Sequence, residues 1–308
     1  MTPNAIFRFR ARTVLKNNWQ IALLVVFIAS LPSILTQVAG VLTGGDISTR
    51  LMALMEDTAF LSADPDTMIR MMTEAVSGSG TAIYAGCSLL AFLVAPTLTA
   101  GMHHYMMGLH RGEPGEVSSV FSRLRWFLKA LGLTLLVALK SFLWSVPGMA
   151  LAIGGTTVIP ALVSTVGQAV NLMMAVMTVG YVLMFVLMIA AMLRYAMAMY
   201  AFAEKPETGI LECIRISKTI MKNRKMQLFA LEFSFVIWNL LVMLAYTLVA
   251  SLFGPVIGLT VQMFLNLFVA AYQHCSITAF YLQYSASEKG EPSAEEVLQH
   301  VMHLNDEE

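Results

Sequence analysis

The sequence predicts an all-α polytopic membrane protein: six transmembrane helices arranged as three hairpins, each preceded by an amphipathic cytoplasmic surface helix. Three observations predict it. Of 308 residues, 57% are hydrophobic and only 12% charged, whereas about a quarter of a soluble domain's residues are charged. Apolar runs reaching the roughly 20 residues that a bilayer crossing needs occur along the whole chain. Basic, amphipathic stretches stand just ahead of three of them, beginning near the N-terminus, at Val117 and at Glu204.

Residues 1–19 form the first lead, with Arg8, Arg10, Arg12 and Lys16 closing on Trp19, an aromatic suited to the headgroup region. The first span follows over about 21–42, long enough to be retained as a crossing rather than removed as a signal peptide. Residues 43–80 make an external polar loop, rich in acids, where helices are expected at Ile47–Glu56 and Asp66–Val76. The second span covers about 83–107 and carries a kink at Pro96. The second lead, Val117–Lys129, places Val120, Phe121, Leu124, Phe127 and Leu128 on one helical face and Arg125 away from it. It enters a third span, about 130–153, which Gly154, Gly155 and Pro160 then connect to a fourth, about 169–202. The third lead, 204–225, runs without a break into a fifth span, 226–252, and Gly254-Pro255 turns the chain into a sixth, 256–284. The membrane domain is thus 1–284. An acidic cytoplasmic tail, 285–308, has a capping box at Ser293 and Glu296 opening a short helix.

The net charge is zero, but its distribution is not even. Lys and Arg gather in the three leads, whereas the 43–80 loop holds only Arg50 and Arg70. Positive charge stays on the cytoplasmic side, so both termini are expected there. Cys87, Cys213 and Cys275 are far apart and form no metal or disulfide pattern. No nucleophile–base pair, metal motif or phosphate loop is present, so neither catalytic residue, metal nor cofactor is expected, and nothing suggests nucleic acid.

Leu15-Lys16-Asn17-Asn18-Trp19-Gln20 and Met221-Lys222-Asn223-Arg224-Lys225-Met226-Gln227 are similar strings at corresponding places, each ending a lead and opening a span. Together with Trp144-x-x-Pro147-Gly148, Ser217-Lys218-x-x-Met221-Lys222 and Ser234-Phe235-x-x-Trp238, the Arg12-x-x-Leu15-Lys16-x-Asn18-Trp19 start resembles an uncharacterised bacterial integral membrane family of unknown function. That family is itself distantly similar to the membrane domain attached to some glycerophosphodiester phosphodiesterases. The resemblance implies a fold and a bacterial cytoplasmic (inner) membrane, and no catalytic residue. This chain departs from the pattern at Glu204-Lys205-Pro206, where an Asp-Asn-Pro-like turn is usual, and at Asn17 and Asn223, where Gly is usual.

Ionisable groups inside spans are the first candidates for a working site, because charge is expensive at bilayer depth. Lys140, Arg194 and Glu232 all fall in the lead-side half of their spans, and Glu232 is expected to pair with Arg194 or Lys140 in a polar cavity. The competing reading has the long cations snorkelling and Glu232 in a structural bridge. On the sixth span Gln262, Asn266 and Gln273 share a face, followed by His274, and they either line a pathway or bond between helices. On the fourth, Met173, Met177, Met184, Met188, Met192 and Met199 form a ridge suited to adaptable apolar packing or greasy ligands. Arg12, Lys16, Trp19, Arg125, Lys218, Lys222, Arg224 and Lys225 are the expected lipid-surface contacts.

Two functions remain open at this level. One is a transport-type or export-accessory protein with an intramembrane cavity. The other is a structural or regulatory protein binding anionic lipid and a membrane protein partner through its basic leads. A membrane enzyme of lipid metabolism is suggested only by the phosphodiesterase resemblance.

Overall fold

The computed structural model describes residues 3–44, 47–77, 79–113, 115–163 and 165–288, so the tail helix expected from Ser293 lies outside the described residues. Their regular structure is all helical. The order is α1 (Pro3–Leu15), α2 (Trp19–Thr43), α3 (Ile47–Glu56), α4 (Thr58–Leu61), α5 (Pro65–Val76), α6 (Ser79–His110), a 3-10 segment (Val117–Trp126), α7 (Phe127–Leu162), α8 (Val166–Tyr195), α9 (Ala198–Glu204), α10 (Ile210–Ile220), α11 (Lys225–Phe253) and α12 (Pro255–Glu288). Six stretches are long and apolar enough to cross a membrane: Trp19–Thr43, Gly80–His110, Val117–Pro160, Gly167–Glu204, Lys225–Phe253 and Pro255–Ala286. The chain is an all-α polytopic membrane protein.

The helices gather into two compact units. One contains Ala11–Phe127 and Ser234–Cys275; the other contains Leu128–Phe233 with the chain up to Arg10 and from Ser276. In the first, Val25, Val26 and Ala29 of α2 pack with Leu98, Met102 and Met106 of α6, and Ala11, Leu15, Ala271 and Cys275 complete the core. Between α2 and α6, Arg50 ties the small helices down by donating to the carbonyl oxygens of Gly44 and Ala75 and to the Thr81 hydroxyl. Asp57 and Asp64 cap α4 and α5, accepting from Ala59 N and Thr67 N at 2.9 and 3.1 Å; the two Thr67 contacts hold the Asp64 carboxyl below its usual range. The short α4 between the two expected helices has no periodic signal, since it is only four residues long.

Three expectations are corrected. The Val117 lead is a 3-10 segment, whose threefold period turns Val117, Val120, Arg123 and Trp126 inward and leaves Phe121 and Leu124 exposed. Its approach to α6 is made at Gly101, where a Cβ would lie 1.8 Å from the Val120 carbonyl oxygen. The connection expected at Gly154–Thr157 is helix, because α7 runs for 36 residues to Leu162. Its glycines serve packing: a Cβ on Gly148 would come within 2.3 Å of the Met184 backbone, and one on Gly155 within 2.6 Å of Val176. The third lead does not run unbroken into the fifth span, since residues 221–224 form a turn between α10 and α11. The fourth span lies over Gly167–Glu204, and within it α8 stops at Tyr195 and α9 starts at Ala198.

The turn at 221–224 contains Asn223 at φ 63°, in the left-handed region that Asn tolerates better than other non-glycine residues. The physical reason for a usual glycine there is therefore visible. At the opposite end of α11, Gly254 at φ 91° and Pro255 make the stop and restart that a hairpin needs. Asn223→Gly is expected to leave thermal stability in detergent unchanged or slightly raised, whereas Asn223→Val lowers it by about 1–2 kcal/mol, as left-handed backbone requires. Equal melting of the two variants would contradict the assignment of strain to this residue.

Candidate functional site

In the α7–α10 unit the break in the fourth span is held by one side chain. Ser217, fully buried on α10, donates to the Arg194 carbonyl at 3.0 Å and accepts from the Met197 N–H at 3.2 Å. Interrupting a helix in an apolar interior exposes backbone groups that need partners, and a hydroxyl, both donor and acceptor, serves on each side of the gap. α10 is placed for this by its buried stripe of Cys213, Ile214, Ser217 and Ile220. Further anchors surround it. Lys129 Nζ donates to the carbonyls of Pro206 and Glu207 at 2.9 and 2.7 Å, Tyr281 Oη donates to Glu204 at 2.7 Å, and Tyr284 Oη to Gln227 at 2.8 Å.

The break leaves a cleft of about 540 Å³ between α7 and α8–α9. Val137, Ser141, Phe142 and Ser145 face Met188, Met192, Tyr195 and Met199 across it. Two of its hydroxyls are turned to their own helix, Thr134 donating to Ala130 O and Ser145 to Phe142 O, and most of the lining is apolar. Met188, Met192 and Met199 come from the methionine ridge; Met184 is instead the contact for Gly148.

The ionisable candidates Lys140, Arg194 and Glu232 lie on α7, α8 and α11. The Arg194 guanidinium lies over the Trp144 ring, 5.6 Å from its centroid, and its Nε has no hydrogen-bond partner among the described residues. Lys140 stands one turn before Trp144 on α7, and Glu232 is half-buried on α11. Arg194 thus meets an aromatic face, a contact worth more where water is scarce. None of the three lines the methionine cleft.

In the α2–α6 unit Asn266 joins Ser30, Ser33 and Gln37 around a cavity of about 200 Å³ between α2 and α12. Gln262 and Gln273 are half-buried outside that lining. His274 packs on His103 with ring centroids 5.7 Å apart, and His110 Nε2 lies 3.0 Å from the Cys275 carbonyl oxygen.

The basic residues expected at lipid surfaces repeatedly lie over rings. Arg12 lies over Tyr272, Arg125 over Trp126, Lys218 over Tyr195 and Arg224 over Tyr284, at 5.5, 5.3, 5.9 and 4.3 Å. Lys16 and Lys222 are exposed, Lys225 is half-buried, and Trp19 packs on Phe268 at 6.1 Å.

Residues 1–288 match the family described as Protein of unknown function (DUF975). The chain belongs to this family. No curated protein and no solved structure matches it. Within this DUF975 chain, Ser217 was visible in the sequence only as part of the Ser217-Lys218-x-x-Met221-Lys222 string. Its role depends on a helix break that periodicity does not reveal.

Ser217→Ala is expected to lower stability by about 2 kcal/mol, because both backbone partners stay buried. The exposed Thr219→Ala, which loses only a bond to its own helix at Arg215 O, should change the melting temperature little. Similar losses in the two would remove the latch. A chemical probe is available beside it, since burial pushes the Cys213 thiol up to about 11 against an opposing influence from Lys129. With Cys87 and Cys275 replaced by serine, iodoacetamide should label folded protein at Cys213 slowly at pH 8 and faster as pH approaches 11, because the thiolate is the nucleophile. Rapid labelling of folded protein at pH 8 would show the site to be open.

Proposed function

We propose that this DUF975 membrane protein is a non-enzymatic, transport-type or export-accessory protein whose guest is an apolar, chain-bearing molecule taken into the cleft between α7 and α8–α9. The carrying observation is the 540 Å³ volume walled by Met188, Met192 and Met199. Unbranched thioether side chains adapt to guests of varied shape. Ligand sites are commonly concave and mostly apolar. A broken helix at membrane depth is itself tolerated where it is buried or lines a cavity. On this reading the protein lies in a bacterial cytoplasmic membrane with its basic leads and both termini in the cytoplasm, following the charge distribution.

A second reading is favoured by Arg12, whose guanidinium stands at the end of an apolar groove between α11 and α12. It makes the protein a lipid-binding structural or regulatory element that engages anionic lipid and a partner membrane protein through its basic leads.

Proteoliposomes containing an NBD-labelled phospholipid test the first reading, with dithionite reporting which leaflet holds the label. The protein should raise the rate at which label exchanges between leaflets. Ser141→Trp, which fills the cleft, should return it to the protein-free rate, while the volume-conserving Met192→Leu keeps it. Exchange no faster than in empty liposomes, or untouched by Ser141→Trp, would reject this reading.

A further inference from the structure

The α11–α12 groove has a chemistry unlike that of the methionine cleft. It encloses about 460 Å³, with Phe235, Trp238 and Leu241 on one wall and Leu265, Phe268 and Tyr272 on the other. Trp238 and Leu241 are more than half exposed, as side chains facing hydrocarbon are. One end of the groove is charged. Arg12 donates from Nε to the Tyr272 hydroxyl at 3.0 Å while its guanidinium lies 5.5 Å from the centre of the same ring. Phe235 braces that ring edge-on at 5.3 Å, and Trp19 meets Phe268 at 6.1 Å.

These contacts orient the guanidinium without neutralising it. Tyr272 uses the Nε proton only, so the two Nη groups remain as the planar fork that matches a phosphate. Lys16, four residues on in the turn that follows α1, is exposed. From Tyr272 to Leu265 the groove runs two turns of α12, about 10 Å at the helical rise. Such a length is that of an acyl segment beginning at a headgroup.

We infer that the groove between α11 and α12 binds one anionic phospholipid, its phosphate on Arg12 with Lys16 nearby and one acyl chain along Trp238, Leu241, Phe268 and Leu265. The occupant is a lipid rather than a partner helix because the charge stands at one end of an otherwise apolar channel. A helix presents its charges and its apolar stripe along the same length, whereas a phospholipid separates them. The inference concerns a different site from the methionine cleft and does not depend on a guest being carried there.

Native mass spectrometry of the detergent-purified full chain, titrated with phosphatidylglycerol and with phosphatidylcholine, is the test. The wild type should retain one phosphatidylglycerol in preference to phosphatidylcholine. Arg12→Gln should weaken phosphatidylglycerol retention about tenfold, in line with loss of a charged hydrogen bond, and Arg12→Lys should recover part of it. Leu241→Trp, at an exposed position, should reduce retention of both lipids by occupying the groove. Arg70→Gln, an exposed cation on α5 outside the groove, should change neither. Undiminished phosphatidylglycerol preference in Arg12→Gln would overturn the inference, as would retention unaffected by Leu241→Trp or a second protein chain held in place of lipid.

Discussion

The hydroxyl of Ser217 joins the carbonyl of Arg194 to the N–H of Met197, and much of the α7–α10 unit depends on that arrangement. A span that stops and restarts exposes polar backbone where neither lipid nor protein interior supplies water. Putting the answering group on α10 fixes α10 against the break. The turn at Asn223 then directs the chain from α10 into α11. Arg224 holds the same corner, donating to the Ile220 carbonyl at 3.1 Å while its guanidinium covers the Tyr284 ring. The α8–α9 break also sets the wall of the methionine cleft, because Ala198 and Met199 lie beyond it and Met188 and Met192 before it.

Cations over aromatic faces are the second recurring device. Arg12, Arg125, Arg194, Lys218 and Arg224 all use it. A ring fixes a guanidinium or ammonium without cancelling its charge, unlike a carboxylate, which would do both. For a protein whose leads are read as meeting anionic headgroups, this keeps charge available while ordering the side chain. The cost is that such residues are less free to follow lipid than exposed Lys16 and Lys222 are.

Membership of a family of unknown function leaves the reading of activity to the sites themselves. The two apolar recesses differ both in lining and in what stands at their ends. Methionines wall the α7 to α8–α9 cleft, whereas aromatic rings wall the α11–α12 groove and a guanidinium stands at its end.

The sequence alone determined that six stretches are long and apolar enough to cross a bilayer, because a crossing demands an apolar length that survives in composition whatever the neighbours are. It also marked Lys16-Asn17-Asn18 and Lys222-Asn223-Arg224 as places where a lead ends and a span opens, but not the turn that the structure puts at each or the left-handed backbone at Asn223. What it misjudged were features set by contact. Gly154 and Gly155 read as a connection although Gly155 serves a close helix approach; Val117–Trp126 read as an α-helix because a few residues do not separate a period of 3.6 from one of 3. Nor was the Trp144 ring beneath Arg194 legible, because depth shows in sequence while direction around the helix does not. The break at Ala196–Met197 and its closure by Ser217 were decided only in three dimensions, since the donor and acceptor that make the break tolerable come from a different helix.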